Sequence, residues 1–273
     1  MNFKHQYGPW ALVTGGAQGM GAAFAAAIGE HGLNLILLDR EQALLETTAA
    51  TLRSTLKVDV ITVCADLAEA NFLDTLMEKT AQCEIGLLVA CAATGHVGPF
   101  EQTPLGDMLG AVAVNVNAPL ILTHHYCKPM IERQRGGVIL FASSAAYQGT
   151  PYVANYGATK AYNLSLGEAL WYELSKHKVD VLAISPGGTN TPGFRSANPG
   201  LKEGQKVKGV MLPEDTAAAA LKALGNVPSA RPSLRDTLET ILMTRIFSRR
   251  KAISLICAKI TSDLTRNIKY SNQ

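Results

Sequence analysis

Cysteine is sparse and scattered in this chain of 273 residues. Cys64, Cys83, Cys91, Cys127 and Cys257 are odd in number and never form C-x-x-C. That pattern argues against a zinc site or a disulfide framework and fits reduced thiols in the cytoplasm. The adjacent His124 and His125 would point in different directions from a helix, so no metal site is expected. Charged residues are few, at 17%, and the net charge of +3 is too small for a nucleic-acid footprint. No apolar run approaches the roughly 18 residues of a membrane span. The opening MNFKHQYGPWALVTGG closes on no small-residue cleavage site and is not expected to be a secretory signal. No internal linker rich in Pro, Gly or Ser divides the chain, so a single domain is expected.

What is there alternates. Short apolar runs recur at 10–14, 33–38, 58–64, 85–91, 137–142 and 179–185. They are continuous rather than every second residue, as in strands buried on both faces. Amphipathic segments such as EQALLETTAATLRSTL separate them. The expected fold is α/β: a single Rossmann-like, doubly wound parallel sheet with helices on both faces. Residues 187–212 are rich in Gly, Pro and Lys and read as a lid, with Phe194, Leu201, Val207, Val210, Met211 and Leu212 as its apolar part. A seventh strand must come from NVPSARP, which is poor strand material. The main domain is expected over 1–232, with 233–273 as its C-terminal helical extension.

TGGAQGMG, at 14–21, follows the first strand and opens a helix. Gly15, Gly19 and Gly21 let a bulky anion approach the backbone, and the helix start offers N–H groups to a pyrophosphate. Between strand one and helix one, such a cluster points to a dinucleotide. Asp39 ends strand two, where a carboxylate accepts both ribose hydroxyls and repels a 2′-phosphate. Arg40 beside it is either a phosphate ligand or a solvated residue. Asp66 ends strand three, where an adenine edge would lie. The glycine turn holds no Arg or Lys, so NAD is preferred, with NADP as the alternative.

Beside TGGAQGMG stand VNV at 114–116, serines after the fifth strand, YGATK at 156–160 and SPGGTNT at 185–191. Together they identify the chain as similar to the short-chain dehydrogenase/reductase family over about residues 8–225. Tyr156 and Lys160 are one helical turn apart on one face. A phenol near pKa 10 is a poor base at neutral pH, so the lysine charge, added to that of oxidised nicotinamide, is expected to lower it. The resemblance makes Tyr156 the general acid/base and Lys160 the holder of the nicotinamide ribose. A serine about 13 residues before the tyrosine holds the substrate oxygen in that family, which selects Ser143; counting from the strand end selects Ser144. Asn115 resembles the asparagine that links the lysine to solvent through water. It reads otherwise as a helix residue bonding its own backbone. The implied cofactor set is Gly15, Gln18, Gly19, Met20, Gly21, Asp39, Arg40, Asp66, Leu67, Ala92, Tyr156, Lys160, Pro186, Gly187, Thr189 and Thr191. One motif departs: the family's Asn-Asn-Ala-Gly is ACAA here, at 90–93, so local stability and cofactor affinity lose two asparagine braces.

The resemblance implies a metal-free NAD(P)-dependent alcohol dehydrogenase or carbonyl reductase acting on a lipophilic small molecule such as a steroid or acyl chain. A catalytically weak dinucleotide sensor or scaffold is the alternative. It also implies a homo-oligomer, dimer or tetramer, paired through helices at 117–133 and 154–177. From Lys222 onward ten basic residues face three acidic ones, and apolar residues recur at helical spacing. That extension either covers the substrate pocket or a neighbouring subunit, or makes weak peripheral contact with an anionic membrane surface through Arg249, Arg250 and Lys251.

Overall fold

A computed structural model describes residues 3–196, 201–206 and 209–258. Helix α1 (Phe3–Tyr7) precedes strand β1 (Trp10–Thr14), followed by α2 (Gly19–Glu30), β2 (Asn34–Asp39), α3 (Gln42–Thr55) and β3 (Val60–Cys64). Then come α4 (Phe72–Thr80), β4 (Ile85–Ala90), α5 (Leu105–Val112) and, after a π-turn at Ala113–Asn117, α6 (Ala118–Arg133). Strand β5 (Gly136–Phe141), α7 (Ala154–Ser175) and β6 (Val179–Ile184) complete the central part. Beyond them lie α8 (Pro192–Ser196), α9 (Pro213–Ala223), β7 (Ser229–Ala230) and α10 (Leu234–Ile241).

The seven strands run parallel in the order β3-β2-β1-β4-β5-β6-β7. Side chains alternate across the sheet, and both faces are covered. Val13, Leu35, Leu37 and Val89 meet α2, α3 and α9 through Phe24, Ile28, Leu45, Ala217 and Ala220. Leu12, Ile36, Leu38 and Leu88 meet α4, α6 and α7 through Phe72, Leu76, Leu122, Tyr126 and Leu174. Double burial is why these strands read as continuous apolar runs. The poor seventh strand is real but only two residues long, pairing Ala183 with Ser229 and Ile184 with Ala230.

Two features depart from simple expectation. Helices α5 and α6 join through the π-turn into one helix, Leu105–Arg133, long and apolar enough by length and composition to cross a membrane. Asn115, Asn117 and the His124–His125 pair break its apolar run in the sequence. Its Leu122, Tyr126 and Met130 are buried on the sheet, as in a core helix. The described residues of the lid also make contacts of their own. Thr189 bridges Met211, and Asn190 Nδ2 donates to the carbonyls of Lys202 (2.8 Å) and Gln205 (3.1 Å). Val207 of the expected lid lies outside the described residues.

Candidate active site

The strand order reverses between β1 and β4, and a parallel sheet binds ligands beyond the carboxyl ends of its strands at such a point. A cleft of about 760 Å³ opens there. Apart from Asn115, every residue of the expected catalytic and cofactor sets lines it, from Gly15 on the first turn to Thr191 on the lid.

The glycine turn shows why its residues are small. Gly15 has φ +69°, and a Cβ there would lie 3.0 Å from the Ala92 Cα. A Cβ on Gly21 would collide with the Gly15 carbonyl oxygen. Helix α2 starts at Gly19 with no side-chain cap, so its first N–H groups are left for an anion. Asp39 braces the same turn, its Oδ2 accepting from Ala17 N at 3.1 Å and its Oδ1 from Glu41 N at 3.2 Å. Arg40 is exposed and leans toward carboxylates, 3.6 Å from Glu41 and 3.8 Å from Asp66. An open helix start followed by a carboxylate at the end of β2 fits the pyrophosphate and ribose of a dinucleotide.

Helix α7 carries Tyr156 and Lys160. Gly167 lets it approach β6, since a Cβ there would lie 2.9 Å from Ala183 Cβ. Lys160 is buried, and its Nζ donates to the Phe141 carbonyl at the end of β5 at 2.9 Å. Burial holds the Lys160 ammonium down, from 10.5 to about 8. The Nζ lies 5.7 Å from the centre of the Tyr156 ring. The expected lowering of the Tyr156 pKa is not produced by the protein alone. Burial raises it, a hydrogen bond with Ser143 lowers it, and Cys91 raises it again. The expectation counted the lysine charge but not the desolvation of the phenol, and the remaining positive charge belongs to the oxidised cofactor.

Of the two serines, Ser143 lines the cleft, and its hydroxyl holds down the pKa of the Tyr156 phenol beside it. Its Oγ also accepts from Ala145 N at 3.2 Å. Ser144 is exposed and opens a short turn pinned by its own N–H to the Pro186 carbonyl.

Asn115 stands behind the cleft wall, fully buried in the π-turn. It does not cap its own helix. Its Oδ1 accepts from Thr94 N (2.9 Å), and its Nδ2 donates to Thr94 O (2.7 Å) and Thr159 Oγ1 (3.0 Å). Thr14 Oγ1 adds a bond from Ala92 N at 3.1 Å. The ACAA segment, lacking its own asparagines, is thus tied to β1 at Ala92, and Thr94 just after it is tied to the π-turn.

Three neighbours of the site were not among the expected site residues. Asn163 Nδ2 donates to the Asn115 carbonyl (2.9 Å) and the Phe141 carbonyl (3.2 Å). Cys91 lies beside Lys160, and burial pushes its thiol up to about 12. Gly95 seats the Tyr156 ring: a Cβ there would lie 2.7 Å from Tyr156 Cδ2. Asn163 follows Lys160 by three residues, so helical spacing was the one available hint.

The short chain dehydrogenase family model matches residues 9–202. A 7beta-hydroxysteroid dehydrogenase of Collinsella aerofaciens is 31% identical over 226 residues, covering 82% of this chain and 86% of that protein. A structure from work on 7beta-hydroxysteroid dehydrogenase stereoselectivity superposes with a TM-score of 0.88 at 29% identity, over 94% of this chain and 99% of the other. A short-chain dehydrogenase from Sphingobium yanoikuyae in complex with NADPH gives 0.74 at 25% identity, over 88% and 97%. With a parallel Rossmann-like sheet, an open glycine turn and a Ser-Tyr-Lys cleft already in place, this chain belongs to the short-chain dehydrogenase/reductase family, as an NAD(P)-dependent oxidoreductase of alcohols and carbonyls.

Proposed function

We propose that the protein interconverts a lipophilic secondary alcohol and its ketone, with hydroxysteroids as the first class to test. The observation that carries this is the convergence of Ser143, Tyr156 and Lys160 on one wall of a cleft whose other end is the glycine turn. The bound dinucleotide supplies or accepts hydride at its nicotinamide. Tyr156 gives a proton to the substrate oxygen or takes one from it, and Ser143 Oγ holds that oxygen. Lys160, fixed on the Phe141 carbonyl, holds the nicotinamide ribose and keeps positive charge beside the phenol. Pro186, Gly187, Thr189 and Thr191 border the nicotinamide end. Asn115 acts from behind, as a brace of Thr94 just after the ACAA segment.

The substrate end supports the lipophilic reading. Val97, Val153 and Phe194 line it with His96. The relative and the solved structure above carry 7beta-hydroxysteroid dehydrogenase in their names. NAD is the preferred cofactor in our reading. Asp39 stands where a 2′-phosphate would be repelled, and the Arg40 charge is shared with Glu41 and Asp66. The protein works in the cytoplasm as a homo-oligomer. The outward Leu120 and Ile121 of α6, with Tyr162 and Tyr172 of α7, supply the apolar pairing surface.

The test is a panel of hydroxysteroids, acyl ketones and short polar alcohols with each cofactor, followed by the absorbance of the reduced nicotinamide. Turnover confined to short polar alcohols would overturn the substrate assignment. Sedimentation showing only monomer at micromolar concentration would overturn the assembly.

A further inference from the structure

Helix α10 and the π-turn after it, Leu242–Ile246, are amphipathic the wrong way round for a covering helix. The polar face is turned in. A Cβ at Gly187 in the cleft would lie 2.6 Å from Asp236 Oδ1, and Thr240 is buried with its hydroxyl on the Asp236 carbonyl. The apolar face is turned out. Leu234 is 84% exposed, Leu238 67% and Ile246 67%, with Ile241 and Leu242 exposed between them. These positions form one stripe along the helix.

The end of the stripe is basic. Arg245, Arg249, Arg250 and Lys251 are all exposed. Among the described residues none of the four forms an ion pair, whereas Arg235 is neutralised by Glu239 at 2.9 Å. Lys251 Nζ stacks 4.7 Å over the Phe247 ring, which leaves the ammonium at the surface.

We propose that this outer face is a docking surface for an anionic phospholipid membrane. The stripe enters the interface and the four cations meet the headgroups. Charge favours this occupant over a second copy of the chain. Such a copy offers no free acid from this helix, because Glu239 is engaged and Asp236 faces inward. Asp236 on the other side of the same helix packs against Gly187 of the cleft wall, so docking would set the cleft beside a lipid phase. The surface stands on its own observations and does not depend on which substrate is turned over.

The experiment is co-sedimentation of the full chain with phosphatidylcholine vesicles, with or without roughly 30% phosphatidylserine, at low and high salt. Binding is expected only with phosphatidylserine, and to weaken at least about tenfold at high salt. Replacing Arg245, Arg249, Arg250 and Lys251 by Gln should weaken it by about tenfold or more. The pair Leu238→Gln and Ile246→Gln should abolish it with turnover in solution kept, since both side chains are already exposed. No binding at low salt, equal binding to neutral vesicles, or binding untouched by the four Gln substitutions would overturn the proposal. So would an assembly that dissociates in the Leu238→Gln and Ile246→Gln variant, which would assign the stripe to a second copy.

Discussion

Lys160 and Asn163 meet at one oxygen. The ammonium of the first and the amide of the second both donate to the Phe141 carbonyl, at 2.9 and 3.2 Å. The end of β5 is thereby satisfied even without the lysine, whose buried charge is held at the expense of stability.

Lys160→Met should therefore stabilise the fold while removing turnover. The folded pKa of about 8 lies below the ordinary 10.5 of the unfolded chain. Below about pH 8 both states hold the proton, and the full penalty of burying the charge is present, on the order of 3 kcal/mol. As pH rises from about 8 to 10.5 the folded state releases its proton first, and the penalty fades. Urea melts should show the variant more stable than wild type at pH 7 and the gap closing by pH 10. A variant less stable at pH 7 would mean that the lost ammonium bond outweighs desolvation.

Tyr156→Phe keeps the ring and removes the proton donor. Turnover should fall roughly a hundredfold or more, with cofactor affinity nearly unchanged. Ser143→Ala should act similarly and Ser144→Ala only weakly, because Ser144 faces solvent. Steady-state kinetics of the three variants checks the assignment. Damage from Ser144→Ala alone would reverse the choice of serine.

Asp39→Ala removes a carboxylate that also braces the glycine turn through Ala17 N and its own turn through Glu41 N. The kcat/KM ratio of NADP to NAD should rise by about tenfold or more, since the carboxylate at the end of β2 no longer repels a 2′-phosphate beside Arg40. An unchanged ratio with both values lowered would reduce Asp39 to a brace.

Gly95→Ala tests how tightly the catalytic ring is seated. The new methyl must displace Tyr156, so kcat should drop about tenfold or more with little change in melting temperature. Wild-type kcat would show that the 94–97 loop gives way instead.

The sequence by itself determined the parallel sheet, the dinucleotide turn and the placing of Tyr156 and Lys160 one turn apart on one helix face. Each follows from a local rule: double burial makes continuous apolar strands, close anion approach requires glycine, and a four-residue step returns to the same helix face. Only the tertiary structure decided the rest, because the rest depends on residues distant in the chain. Burial beneath the ends of β4 and β5 raises the Tyr156 pKa and lowers that of Lys160. Thr14 ties down Ala92 within ACAA, and Asn115 ties down Thr94 just after it. Helical spacing reveals that Leu234, Leu238, Ile241 and Leu242 share a face; it says nothing of which face is turned inward. That choice was made by Gly187 and the buried Thr240, whose packing turned the polar side of α10 to the cleft and left its apolar side to solvent.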